Sequence, residues 1–304
     1  MVGQVGIQHS LFVIHRLSFF NCVQASSLSC KTHCMTPSLF KIVTGFNVLF
    51  LCYHSAEYMI LSQNSAVGFL FLSALFFVLA FLFAKWQGDK NLEPWGLTLQ
   101  KLLSVYLIRG LLAGLVVSGL SFLACFVLHI EVISFVPPLK DFLPGAALLI
   151  FGSAFSSLTE DVLTRGYVYR HTKNKVSRQY VVFLSAIIYV LNHVHRLNEP
   201  IYLLYVFVLG LALVLPLLIT GNIWYTLGVH WAGNIVYHLT SNVMHTSSGS
   251  NAFPALWISI VFTLLSIPLH CFICQQLTSK KENESFVSPP WHSSTLIRHS
   301  SELV

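Results

Sequence analysis

An all-α polytopic membrane protein, built as a bundle of about eight transmembrane helices, is predicted by three features of this 304-residue sequence. The first is composition: 55% of residues are hydrophobic and only 9% charged, with a mean hydropathy of +0.71, whereas soluble chains carry roughly 25% charged residues. The second is length. Apolar runs of about the 20 residues that a spanning helix needs recur near 39–62, 65–84, 102–128, 142–169, 180–195, 201–219, 222–244 and 254–277. The third is the placement of positive charge between those runs.

Eight spans alternate the connecting segments between two sides. One side collects Arg16, Lys31, Lys41, Lys85, Lys90, Lys101, Arg170, Lys173, Lys175, Arg178, Lys280, Lys281 and Arg298, and the other only Lys140 and Arg196. Basic residues mark the cytoplasmic side, so both termini are expected there. The same clustering explains the net charge of +6 as a topology signal, and no nucleic-acid partner is expected.

Each element follows from its local sequence. Residues 1–38 form an N-terminal cytoplasmic extension, because His15 and Arg16 interrupt the only apolar stretch and no clean signal peptide results. Residues 39–277 form the bundle, in which the run at 142–169 carries charged residues and that at 180–195 is short; both must still be helical wherever lipid leaves no other partner for the backbone. Pro144, Pro216 and Pro268 start or kink helices, and Trp86, Trp224, Trp231 and Trp257 fit an interfacial aromatic belt. Residues 278–304, rich in Ser, Lys and Glu with Pro289-Pro290, are expected to be a disordered cytoplasmic tail. The seven cysteines show no disulfide spacing, and Cys271-x-x-Cys274 lies inside an apolar run, where packing is the expected role.

Ionisable residues at membrane depth are costly and usually functional, and they cluster at 140–245. Glu160, Asp161 and Arg165 precede a basic loop, Tyr189 and His193 follow it, and His230 and Asn234 lie in the next-but-one run. At about 1.5 Å of rise per residue, Glu160, His193 and His230 stand roughly 15, 20 and 14 Å from their loops, so they reach similar depth. His230 and Asn234, four apart, share a helix face. Glu160 and Asp161 point about 100° apart and need not serve one site, while Arg165 can pair with Asp161.

These parts suit hydrolysis. Glu160 with His193 can hold and deprotonate a water, and His230 with Asn234 can donate to the oxyanion formed when that water attacks an amide carbonyl. This reading needs no cofactor. A second reading has Glu160, His193 and His230 binding zinc, although no His-Glu-x-x-His is present. Other readings also stand. Glu160, Asp161 and Arg165 can form a purely structural ion pair, or Glu160 and the histidines can relay protons in a transporter; the motifs fall only in the second half, unlike the paired halves common in transporters. Asn192, His195 and His238 are read as packing or boundary residues, and His171, His245 and His270 as interfacial.

Glu160-Asp161-Val-Leu-Thr-Arg165-Gly166, Tyr189-Val-Leu-Asn-His193 and His230-Trp-Ala-Gly-Asn234 together resemble the three motifs of the CPBP intramembrane endopeptidase family, which includes the CAAX prenyl proteases and Abi-type bacteriocin-processing and immunity proteins. The resemblance implies a helical bundle around a glutamate-activated water. Glu160 would be the base, His193 its partner on the water, and His230 and Asn234 the oxyanion donors, with Asp161, Arg165 and Tyr189 in support. Asp161 stands where the family has a second Glu, and Tyr189 where it has Phe. The implied partners are membrane lipids and a peptide or protein substrate, prenylated or not, met near the cytoplasmic leaflet. A catalytically silent immunity or scaffold protein is the alternative within the family. The expected location is a bacterial inner membrane, with the endoplasmic reticulum as alternative.

Overall fold

A computed structural model of the chain describes residues 38–98 and 105–287, with side chains as far as 279. Most of the expected N-terminal extension, the end of the tail, and the basic residues Arg16, Lys31, Lys101 and Arg298 lie outside the described residues.

Each of the eight apolar runs contains a helix among the described residues, and the run at 142–169 contains parts of two. In chain order the helices are α1 (Leu39–Leu61), α2 (Ala66–Trp86), α3 (Val105–Val127), α4 (Leu139–Asp161), α5 (Tyr167–Thr172), α6 (Arg178–Leu191), α7 (Pro200–Thr220), α8 (Trp224–Tyr237) and α9 (Ala255–Val287). The protein is an all-α, multi-pass integral membrane protein. Six helices among the described residues are long and apolar enough to cross a membrane. The exceptions, α6 and α8, have 14 residues each, or about 21 Å of rise against a hydrocarbon core of about 30 Å. Helix α6 carries Tyr189 of the second motif and α8 carries the third.

Two local departures from regular α-helix bear on the site. Between α4 and α5 the chain makes a π-helical turn, Val162–Gly166, yet it stays continuous, so that Leu139–Thr172 is one 34-residue rod. A second π turn, His238–Val243, extends α8. Single π turns inside helices are common at functional sites because the extra residue re-aims the side chains around it. At the other end of the chain, α9 runs to Val287, past Thr278 where the sequence suggests a disordered tail, since Lys and Glu are good helix formers once a helix feeds into them.

The helices run between two poles. The basic pole holds the starts of α1, α3, α6 and α8 and the ends of α2, α5 and α7; the opposite pole holds the α1–α2 turn, a short antiparallel ribbon of β1 (Glu131–Ile133) and β2 (Thr246–Ser248), and the turn after α6. Among the six long spans α7 is the most enclosed, with 44% of its apolar window buried against 22–28% for the other five. Outward faces remain apolar, as lipid requires, with Val67, Phe71, Leu112, Leu148 and Leu265 exposed. Helices α3 and α8 meet almost backbone to backbone: a Cβ at Gly110 would stand 2.2 Å from the Tyr225 carbonyl oxygen, and one at Gly228 2.5 Å from that of Leu107. Small residues permit this approach, which substitutes for the hydrophobic drive that lipid removes.

The basic pole is sealed. Trp95, Leu163, Tyr167, Ile223 and Trp224 form a buried cluster there, bordered by a polar clasp. In that clasp Arg170 pairs with Asp89 at 2.6 Å, Trp95 Nε1 donates to Asp89 at 3.3 Å, and Gln87 Nε2 donates to Tyr167 Oη at 2.7 Å while Gln87 Oε1 lies 3.1 Å from His171. Two residues expected at the interface are buried instead, Trp224 with its indole N–H donating to the Thr98 carbonyl and His171 with Nε2 against Gln87. The clasp fixes α5 to α2 and so anchors the rod that bears the first motif.

Candidate active site within the bundle

All three motifs converge. Glu160 and Asp161 end α4, Tyr189 lies on α6, and His230 and Asn234 lie on α8. His193 falls beyond the helix that the sequence assigns to it: α6 stops at Leu191, and His193 sits on the turn that follows. Its Nδ1 is 2.9 Å from the Tyr189 carbonyl, an acceptor, so the proton is on Nδ1 and Nε2 faces Glu160 Oε1 at 4.0 Å. The ring is thus positioned by the backbone of its own motif.

His230 is held from both sides. Its Nδ1 lies 2.9 Å from Asp161 Oδ1, its Nε2 lies 3.6 Å from Glu160 Oε2, and the Tyr189 hydroxyl is 3.4 Å from the same Nε2. The two adjacent carboxylates therefore do serve one site, against the reading that their angular separation allows them separate roles. One approaches each nitrogen of a single imidazole, because the His230 ring reaches between the two side chains. Asp161 is fully buried and paired with the equally buried Arg165 four residues on. The Arg165 guanidinium also lies over the Tyr189 ring, 4.3 Å from its centroid, a placement in which the ring face favours the cation. Arg165 thus compensates Asp161, and Asp161 orients His230.

Asn234 donates from Nδ2 to Ser157 Oγ at 2.9 Å, which leaves its second N–H free to bind another acceptor. Sequence reasoning underrates Asn192, read as packing. It is 1% exposed and donates from Nδ2 to Glu160 Oε1 at 3.3 Å, and only its place beside His193 hints at this. His270, read as interfacial, is buried against Tyr225 at 3.0 Å and lies on the wall of the cavity described next.

Glu160, Tyr189, His193, His230 and Asn234 line one cavity of about 960 Å³. Its walls come from α1 to α4, the α6–α7 turn, α7, α8 and α9, mixing apolar residues such as Phe69, Val117 and Leu209 with polar ones at the pole opposite the basic loops. Burial there pushes the Glu131 carboxyl up. Among the described residues no group of three or more His, Cys, Asp or Glu is arranged to hold a metal ion.

Fold and site together define a class: a multi-pass membrane protein with a buried carboxylate–imidazole centre opening into a large cavity. Residues 142–236, less than a third of the chain, match the model of the family described as Type II CAAX prenyl endopeptidase Rce1-like. The match is consistent with the CPBP and CAAX protease family, and it spans all three motifs. No curated protein and no solved structure matches the chain.

Proposed function

We propose that the protein is an intramembrane endopeptidase in which Glu160 activates a water against a peptide bond, without a metal. The observation that carries this is the position of Glu160, buried in the cavity wall with an imidazole nitrogen facing each of its two oxygens, at 4.0 and 3.6 Å. A water held between Glu160 and His193 gives its proton to the carboxylate as its oxygen bonds to the substrate carbonyl carbon. The oxyanion that forms accepts from the free N–H of Asn234, and also from His230 Nε2 when the ring is protonated on both nitrogens. Collapse breaks the C–N bond, and the proton on Glu160 passes to the leaving amine. Asp161 keeps His230 in register throughout, through Nδ1.

Peptide and protein segments within or beside a membrane are the substrate class that the cavity and the family match support. The test is a purified preparation assayed against a peptide library, with Glu160→Gln as the control. Cleavage by the parent protein and its loss in the variant support the reading, and equal cleavage by both would overturn it.

A further inference from the structure

The lining of the cavity extends to one pole of the bundle and stops short of the other. Beyond the motif residues its lining includes Asn64 in the α1–α2 turn, Glu131 on β1, Glu199 before α7 and Asn242 in the π turn after α8, all at the pole opposite the basic loops. Toward the basic pole its lining goes as far as Pro216, near the end of α7, and His270 on α9. Below these the plug of Trp95, Tyr167 and Trp224 is at most 2% exposed. Described basic residues are distributed in the reverse sense. Lys85, Lys90, Arg170, Lys173, Lys175 and Arg178 cluster at the plugged pole, and the open pole has Lys140 and Arg196. Asymmetry of Lys and Arg in short loops is what orients a membrane protein, with the richer side in the cytoplasm.

Resting on the endopeptidase reading, we propose that the scissile segment reaches Glu160 from the non-cytoplasmic face, so that the substrates are segments displayed at the outer membrane boundary. This replaces the sequence-based expectation of a substrate near the cytoplasmic leaflet. The polar mouth receives a hydrated stretch of chain. On one flank, Leu148 and Phe151 of α4, 60% and 54% exposed, give the cavity an apolar wall. A segment just outside a membrane anchor can lie against both at once.

The test uses the full chain in sealed vesicles of both orientations. Asn242→Cys and Glu199→Cys mark the mouth and Lys175→Cys marks the plugged pole; each is exposed to a membrane-impermeant sulfonated maleimide, with the modified position read by peptide mass spectrometry so that native cysteines are not confused with it. Both mouth variants should label in right-side-out vesicles and Lys175→Cys only in inverted ones. Labelling of the mouth variants only in inverted vesicles would overturn the proposal. A second arm adds quenched fluorogenic peptides outside each vesicle type. Hydrolysis confined to right-side-out vesicles, and absent with Glu160→Gln, supports the proposal, and hydrolysis confined to inverted vesicles refutes it. If neither vesicle type cleaves any peptide, the endopeptidase reading fails while the labelling still decides the open face.

Discussion

Replacing Glu160 by Gln separates a general base from a structural carboxylate. The carboxylate is 5% exposed and accepts one hydrogen bond, from Asn192 Nδ2 at 3.3 Å. A Gln side chain of nearly the same volume keeps an oxygen for that bond, and Asp161 rather than Glu160 compensates Arg165. Folding should therefore change by less than about 1 kcal/mol, within the range of a single ordinary hydrogen bond. Turnover should fall by about 10²–10⁴-fold, the usual contribution of general-base catalysis, which corresponds to roughly 2.7–5.4 kcal/mol of transition-state stabilisation. Steady-state cleavage of the best library peptide, alongside thermal unfolding in the same detergent, measures both quantities. A variant that unfolds as the parent does and cleaves within a few-fold of it would refute the assignment of Glu160 as base.

Four further outcomes follow from the same geometry. Asn192→Ala should slow turnover by about tenfold or more, the loss of a hydrogen bond to a charged group, yet cost little further in a Glu160→Gln background; equal losses in both backgrounds would mean that Asn192 acts independently of Glu160. Asn234→Ala removes one oxyanion donor and should lower kcat by about 10²–10³-fold, with KM for the same peptide little changed. Arg165→Ala leaves the fully buried Asp161 without its cation and should destabilise by about 3–5 kcal/mol, seen as a lower yield of monodisperse protein in size-exclusion chromatography. Exhaustive chelation should leave activity intact; a loss that zinc alone restores would favour the metal reading of Glu160, His193 and His230.

Much of the fold was legible because lipid imposes simple rules on sequence. A chain with 9% charged residues must hide its backbone in helices, so the positions of the eight helical segments could be read from apolar runs alone. The motifs were legible for a related reason: carboxylates and imidazoles in apolar runs are too costly to be incidental. Helix ends were harder to place, and His193 shows why. The expected run ends at residue 195, whereas α6 stops at Leu191, four residues earlier, where the polar Asn192 and His193 begin.

What the sequence alone determined was the solvent of this protein, its all-helical class, and which polar side chains belong together, since all three are properties of residue type and spacing. Only the tertiary structure decided how those side chains are divided. Spacing along one helix gives the angle between Glu160 and Asp161, but not that a third side chain from α8 reaches between them; Asn192 likewise looks like packing until α4 is set against it. The direction in which the cavity opens was also invisible in the sequence, because it depends on which ends of seven separated segments pack shut. Contacts of that kind are made between residues far apart in the chain, and no local pattern encodes them.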